Sequence, residues 1–523
     1  MSKVSSKKIR VDQSLLRGHQ RIDRDFFIEH NNVYELFSAR VQQYPKKIFA
    51  IFPEYKKEFS YEELHRNVIR RAQYLSKLGI AKGEKMALII PNSPDFIVMY
   101  IAALKIGIVL VPINPDLTPQ EITYIISNAR AKAVFYSPQF DKKIVDVQKS
   151  FDVGVSFTDV SKISLRAKNE KAHASDVAYV DEAVIIYTSG TTGNPKGVVL
   201  THLNFLVDSS VIAAWFKFTH NTRTLCILPL FHNNGQVITL FAQLQAGGST
   251  VIVSPKSNLK RFWYLAKKYN VNWTSVMAAI LSIILSIGLK REDKSMVGII
   301  CGGQVLNPEL QKKFEDTYRV PIFEGFGLTE TTSFSCFNRF PAKNRKLGSV
   351  GRSLPCNDIK IVDGEIYIRG LNVMKGYYRL DETNKKALQG DWFHTGDFGE
   401  IDDNGNIYFK TRKDYLIIKG GENIYPSEVE NALFAHEAVD ECAVVGVHDE
   451  LLGQHIIAFV KLNKKCPETS LKEFLTEKLA HYKHPKRIFI VGELEGLDDI
   501  PKGPTKKVLY RSLLAYYDEH LKE

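Results

Sequence analysis

The sequence has no CxxC pair and no cysteine spacing of the kind that clamps a metal or builds a disulfide frame. Its six cysteines, Cys226, Cys301, Cys336, Cys356, Cys442 and Cys466, are scattered through 523 residues, a usage that fits a reducing cytoplasm. Long apolar runs are absent as well. The stretch from Met86 to Ile113 is broken by Pro91, Asn92, Asp95 and Lys105, and Val276 to Leu289 is too short to cross a bilayer. No transmembrane segment is expected. The N-terminus from Met1 to Arg24 is polar and basic and lacks the apolar centre of a signal peptide. There is no internal repeat or low-complexity tract. Together these absences exclude a secreted disulfide scaffold, a zinc ribbon, a membrane-spanning protein and a solenoid.

What is present is ordinary globular material. Hydrophobic residues make up 44% of the chain, charged residues 24% and aromatics 11%, enough apolar surface for several cores. At this length a single core is not expected. The net charge of +12 favours anionic partners, from nucleotides and an acidic carrier protein to a membrane surface or nucleic acid, but the lysines are spread along the whole chain and charge alone does not choose.

Short β-rich runs alternate with longer amphipathic stretches over the first four-fifths of the chain. The runs Met86–Ile90, Ala133–Tyr136, Val184–Thr188, Leu225–Leu228, Thr250–Val253 and Gly298–Cys301 are expected strands, and Tyr61–Leu78 and Leu259–Tyr269 expected helices. That alternation predicts parallel βαβ units with helices on both sheet faces. After Gly348 the strands come closer together, with Asp363-Gly364 and Asp403-Asn404-Gly405 as turns, which predicts an antiparallel, barrel-like piece. A further unit starts near Tyr415, with helices over Pro426–Phe434 and Leu471–Ala480 and strands over Val439–Val447 and His455–Leu462. The charged segment Thr411–Tyr415 is read as the linker.

The chemistry concentrates first at Tyr187-Thr188-Ser189-Gly190-Thr191-Thr192-Gly193-Asn194-Pro195-Lys196-Gly197, between two apolar strands. Glycines let the backbone approach an anion, hydroxyl and N–H groups can line a polyphosphate, and Lys196 adds a point charge. It is not a Walker A loop, because Gly197 follows Lys196 where Ser or Thr is required. By composition alone it would be a flexible turn. As a string it resembles the signature of the adenylate-forming (AMP-binding) superfamily of acyl-CoA synthetases, adenylation domains and luciferases, and further pieces of that pattern follow in order.

The resemblance implies an α/β fold: a large N-terminal domain of two doubly wound α/β subdomains plus a distorted antiparallel β-barrel, over residues 1–411, a hinge at 412–415, and a small mobile α+β C-terminal domain over 416–523. Pro229-Leu230-Phe231-His232-Asn233-Asn234-Gly235 resembles the border of the acid pocket, with His232 as its gate. No aspartate follows Phe231, so a simple carboxylic acid is expected rather than an amino acid. By the same analogy Asn233, Met277, Ala278, Ala279, Gly302, Gly325 and Gly327 line that pocket, and so many small residues suggest room for a chain or ring. Glu324-Gly325-Phe326-Gly327-Leu328-Thr329-Glu330 resembles the YGxTE element, with Phe326 for Tyr. An aromatic ring there can stack on adenine with or without a hydroxyl, beside Gly302, Gly303, Glu324 and Thr329. Glu330 and Thr188 then hold Mg²⁺.

Asp397, in Trp392-Phe393-His394-Thr395-Gly396-Asp397, and Arg412 suit a ribose diol, the carboxylate accepting and the guanidinium donating. Lys419 to Glu430 resembles the loop after the hinge, where Gly420 and Gly421 would permit an extended backbone lining a pantetheine channel, and Asp414 would be the pivot. Pro501 to Val508 resembles the catalytic-lysine motif but departs from it where Lys506 replaces the glycine before the lysine. Spacing favours Lys507 as catalytic, with Lys502 and Lys506 as alternatives. The implied function is an ATP- and Mg²⁺-dependent ligase that adenylates a fatty or aryl acid and passes the acyl group to coenzyme A, with no nucleic-acid partner. The alternatives are a ligase loading an acyl carrier protein, a non-catalytic nucleotide-binding homologue and, more remotely, an oxygen-dependent luciferase.

Overall fold

The computed structural model describes residues 8–151, 154–163, 176–188, 194–254, 258–292, 294–503 and 508–522. Two large sheets dominate it. The first has seven strands, with Glu182–Thr188, Val109–Pro112, Lys85–Ile89, Ala131–Tyr136 and Ser156–Asp159 parallel to their neighbours, and Lys196–Thr201 and Gly376–Tyr377 added antiparallel at one edge. The second has nine, centred on the parallel run Ile322–Phe326, Gly298–Cys301, Trp273–Val276, Arg223–Cys226, Ser249–Ile252 and Ile48–Phe52.

The connecting helices show why the chain layers as it does. Pro94–Ile106 is apolar around its whole circumference, starts at a Ser93 cap followed by Pro94, and stops at Gly107 with φ 76°. Such a helix can only be buried. It and His202–Trp215 join the inner faces of both sheets into one core. Amphipathic helices cover the outer faces, Pro119–Ala129 on the first sheet and Phe262–Tyr269 and Ala278–Ile287 on the second. Capping boxes at Ser60/Glu63, Thr118/Glu121 and Thr201/Asn204 fix helix starts.

A third piece is the antiparallel sheet Asn357–Val362, Glu365–Gly370, Phe393–Ile401 and Ile407–Arg412, bridged to the rest through Gly351 and Ile407. The expected linker is shorter than read from sequence. Thr411 and Arg412 complete a strand, leaving a single 3-10 turn, Lys413–Tyr415. Beyond it, a hairpin of Ile417–Lys419 and Glu422–Ile424 precedes a three-stranded sheet (Val439–Asp449, Gly453–Leu462, Arg487–Ile490) with helices on both faces. Helix Glu468–Thr476 lies a few residues earlier than the expected Leu471–Ala480. Glu468 in its first turn accepts a hydrogen bond from the Ile488 N–H at 2.8 Å, anchoring that start to the sheet.

Candidate active site

Strands Glu182–Thr188 and Lys196–Thr201 pair antiparallel with Thr188 opposite Lys196, so the Ser/Thr/Gly signature falls in the sequence between two paired strands. Ser189, Gly190, Thr191, Thr192 and Gly193 lie outside the described residues. Gly197 has a different use from the one its place in the motif suggested. It pairs with Tyr187, and a β-carbon there would meet Ile185 Cγ2 at 2.8 Å and Tyr187 Cζ at 3.0 Å, so cross-strand packing requires the glycine.

Register carries the next element to this strand pair. Tyr377 pairs with Val198, its ring lies 5.5 Å from Lys196 Nζ, and its hydroxyl donates to Glu330 Oε1 at 2.9 Å. The Met374 N–H holds the Glu330 carbonyl at 2.7 Å. Glu330 is therefore linked through Tyr377 to the strand that begins at Lys196. Tyr377 was not singled out in the sequence; only the pairing of two distant strands reveals it.

Asp397 and Arg412 face each other as a register pair, with Nε 3.5 Å from Oδ1 and the Asp397 side chain 4% exposed. Thr395 Oγ1 accepts the Asp397 N–H at 3.0 Å and donates to Ile366 O at 2.7 Å, fixing that stretch. Burial acts against the charge on Arg412, but the carboxylates of Asp397, Glu330 and Asp414 outweigh it and hold the guanidinium above its ordinary pKa. Burial, then the Glu330 carboxylate, push the Tyr377 hydroxyl up, while Arg412 opposes them. Glu330, Tyr377, Asp397 and Arg412 thus share one electrostatic neighbourhood.

The segment around His232 reaches the same neighbourhood. Asn233 Nδ2 donates to Thr329 O at 3.4 Å. His232 precedes the short helix Asn233–Gln236, its ring 4.6 Å from that of Phe231. Buried Asn92 accepts from Leu230 N at 2.7 Å and donates to Leu228 O and Val253 O at 2.9 Å, and Tyr100 holds Gln236 at 2.6 Å. Sequence reading missed both. Met277 caps helix Ala278–Ile287, and Ala279 N donates to Gln304 Oε1 at 3.4 Å, tying that helix to the Gly302–Gly303 backbone.

Two expectations are corrected. The smallness of Gly302, Gly325 and Gly327 was read as room for substrate, yet β-carbons there would lie 2.3 Å from Phe334, 2.3 Å from Phe337 and 2.0 Å from Ser333 O. Their space is taken by rings and backbone of this chain. Gly420 and Gly421 are not extended: with φ 60° and 85° they form the tight turn of a two-residue hairpin, the geometry that matches strand twist. Gly420 N donates to Leu452 O at 2.8 Å, within the C-terminal unit.

Glu324 is fully buried and accepts from Leu306 N at 3.1 Å, bracing the loop after Gly303; burial raises its carboxyl to about 8. Phe326 is 8% exposed, its ring 5.8 Å from Phe409. Asp414 is in the exposed turn after Arg412. Lys506 and Lys507 fall outside the described residues. Lys502 is paired with Glu441 at 2.6 Å, which ties it to the C-terminal sheet. Among the described residues no helix is long and apolar enough to cross a membrane.

A parallel-sheet scaffold whose antiparallel strand pair flanks the Ser/Thr/Gly signature, with Glu330 linked through Tyr377 to the Lys196 strand and an Asp–Arg pair at the border of a small C-terminal unit, fits a nucleotide-using enzyme of the adenylate-forming class. The AMP-binding enzyme profile matches residues 37–378, and the profile of the AMP-binding enzyme C-terminal domain matches residues 428–496. The chain belongs to the AMP-binding enzyme family and is an enzyme of the acyl-CoA synthetase type. It is 30% identical to a sulfoacetate–CoA ligase of Cupriavidus necator, over 92% of this chain and 97% of that one. It is 31% identical to a long-chain-fatty-acid–CoA ligase of Mycobacterium tuberculosis, over 93% and 98%. The o-succinylbenzoate CoA synthetase of Bacillus subtilis, solved with its acyl-adenylate intermediate, superposes with a TM-score of 0.82 at 28% identity, covering 92% of this chain and 98% of that one. The same synthetase has been solved with ATP and magnesium, again at TM-score 0.82, with 29% identity and coverage of 93% and 99%.

Proposed function

We propose that this enzyme joins a fatty or aryl carboxylic acid to coenzyme A through an acyl adenylate. The observation that carries the reading is the convergence of Lys196, Glu330, Asp397 and Arg412 from four separate segments onto one neighbourhood. Relatives named as a sulfoacetate–CoA ligase and a long-chain-fatty-acid–CoA ligase support a simple carboxylate as the acid.

In this reading Thr188, Ser189, Gly190, Thr191, Thr192, Gly193 and Lys196 line the triphosphate, Asp397 and Arg412 hold the ribose, and Phe326, with Gly302, Gly303, Glu324, Gly325 and Thr329 around it, receives the adenine. His232, Asn233, Met277, Ala278 and the Gly302, Gly325 and Gly327 backbone border the acid. Thr188 and Glu330 are the Mg²⁺ ligands. The donor set fits that ion: Glu330 and Thr188 offer hard oxygens, and Mg²⁺ is commonly held by one or two carboxylates together with phosphates. When bound, the ion supplies neutralisation of phosphate charge.

A carboxylate oxygen attacks the α-phosphorus, the bond to the bridging oxygen breaks, and pyrophosphate leaves with the electron pair. Lys507 neutralises charge during that step. The thiol of coenzyme A, losing its proton, then attacks the acyl carbon and AMP leaves. The chain contributes positioning and fixed charge rather than covalent chemistry. A turn of the C-terminal unit about Asp414 brings the Gly420–Gly421 hairpin to the thiol in place of Lys507.

The test is acid-dependent pyrophosphate exchange into ATP with a panel from acetate through long-chain fatty acids to aryl acids, followed by coenzyme A and a phosphopantetheinyl carrier protein as rival acceptors. Exchange with one acid class and transfer to coenzyme A is the expected result. If no acid supports exchange, the reading fails.

A further inference from the structure

The turn that carries Glu330 has an unusual backbone. Thr332 sits at φ 67°, ψ −62°, and Ser333 N donates to Thr331 O at 2.8 Å, closing a γ-turn of the rare, strained hand. A β-branched residue at positive φ is disfavoured and persists only where its surroundings impose it.

Two buried side chains impose it from opposite sides. Asn372 Nδ2 donates to Thr331 O and to Phe334 O, both at 3.2 Å, while Thr332 Oγ1 donates to Asn372 O at 2.6 Å. Across the turn lies Asp208, with no exposed surface, whose Oδ2 accepts from Ser333 Oγ at 2.6 Å. Burial pushes the Asp208 carboxyl up to about 8, opposed by the Ser333 hydroxyl and by the N–H groups of Phe334 and Ser333. Among the described residues no cation forms an ion pair with Asp208. A buried carboxyl group without a counter-ion costs more than an apolar side chain of the same size, with or without its proton. Its position is informative: Asp208 is on helix His202–Trp215, which directly continues strand Lys196–Thr201 out of the phosphate hairpin.

We propose that Asp208 is a positioning residue: through Ser333 and the positive-φ turn at Thr332 it fixes the direction in which Glu330 presents its carboxylate beside the phosphate hairpin. This rests on the reading of Glu330 as the Mg²⁺ ligand. One continuous segment, Lys196 to Trp215, would then set both the phosphate cradle and the aim of the carboxylate facing it.

The test is Mg²⁺-dependent pyrophosphate exchange by the full chain with its preferred acid. Asp208→Asn keeps the volume but puts an amide nitrogen, which cannot accept, in place of one carboxyl oxygen; it is expected to raise half-saturating Mg²⁺ by about 10- to 100-fold, the usual size for outer partners of metal ligands. KM for the acid should stay at its wild-type value. Adding Thr332→Gly, which tolerates positive φ without strain, should recover part of the loss. Should Asp208→Asn fail to fold, Ser333→Ala removes the hydroxyl donor alone and is expected to show the same Mg²⁺ signature at smaller size. Unchanged Mg²⁺ dependence in the folded variants, or losses spread equally over Mg²⁺, ATP and acid, would overturn the proposal while leaving the function standing. A wild-type chain inactive with every acid would overturn both.

Discussion

The turn carrying Glu330 and the turn formed by Gly420 and Gly421 are both short, positive-φ corners, yet they are held in opposite ways. Around the first, Thr331, Thr332, Ser333 and Phe334 are buried and bonded by Asp208, Asn372 and the Met374 N–H. The second is a hairpin tip with exposed flanks, anchored through Gly420 N to Leu452 O, and no atom lies within 4 Å of a β-carbon built on Gly421. Local stability follows buried contacts and protected hydrogen bonds. On the proposed function, a carboxylate aimed at a phosphate-bound Mg²⁺ in one orientation would gain from bracing, whereas a turn serving only the second half-reaction would gain from freedom.

Glu330→Gln should separate the two turns most sharply. Loss of the charge at the braced turn is expected to cut pyrophosphate exchange by about 100-fold or more, measured at saturating ATP and acid. If exchange survives, the braced turn is structural only. Gly421→Ala asks the converse. Alanine at φ 85° is strained, by about 1 kcal/mol or more, so thioester formation should fall several-fold more than exchange; equal losses in both would remove the distinction.

Tyr377→Phe deletes the hydroxyl donated to Glu330 without changing the ring beside Lys196. One such bond is worth about 1.5–3 kcal/mol when an ion takes part, or less where water replaces the hydroxyl, so Mg²⁺ half-saturation should rise about tenfold with KM for the acid constant. The smallest effect lies in the C-terminal unit. Burial raises the Glu430 carboxyl to about 7, against hydrogen bonds from Val444 N and Tyr510 Oη at 3.0 Å. Between the ordinary carboxyl range and pH 7 the folded chain keeps a proton that the unfolded chain releases, so stability falls as pH rises through that window and levels off above it. Glu430→Gln should therefore raise Tm at pH 8 by a few degrees, and much less at pH 5, in thermal unfolding.

Much of this was legible beforehand. Gly298–Cys301 and Pro426–Phe434 were read with the boundaries observed, because a short apolar run ended by glycines and a proline at a helix start are local signals. Asp397 and Arg412 were named from separate motifs and proved to be a register pair. Four of the misread glycines share one cause. Gly302, Gly325, Gly327 and Gly197 were read for what a glycine admits, and their use depends on what lies opposite, which for these four is Phe334, Phe337, Ser333 and Tyr187. Tyr377, Asn92 and Asp208 carried no signal, being polar residues whose partners lie far away along the chain.

By itself the sequence determined the family, the alternation of strands and helices, and the residue types available to a triphosphate and a ribose, because each depends on neighbours within a few positions. Only the tertiary structure decided that Tyr377 holds the carboxylate of Glu330, which glycines are filled by aromatic rings, and that a buried aspartate stands beneath the turn bearing Glu330. Those depend on strand register and on burial, and both are set by how distant segments pack rather than by any stretch of residues alone.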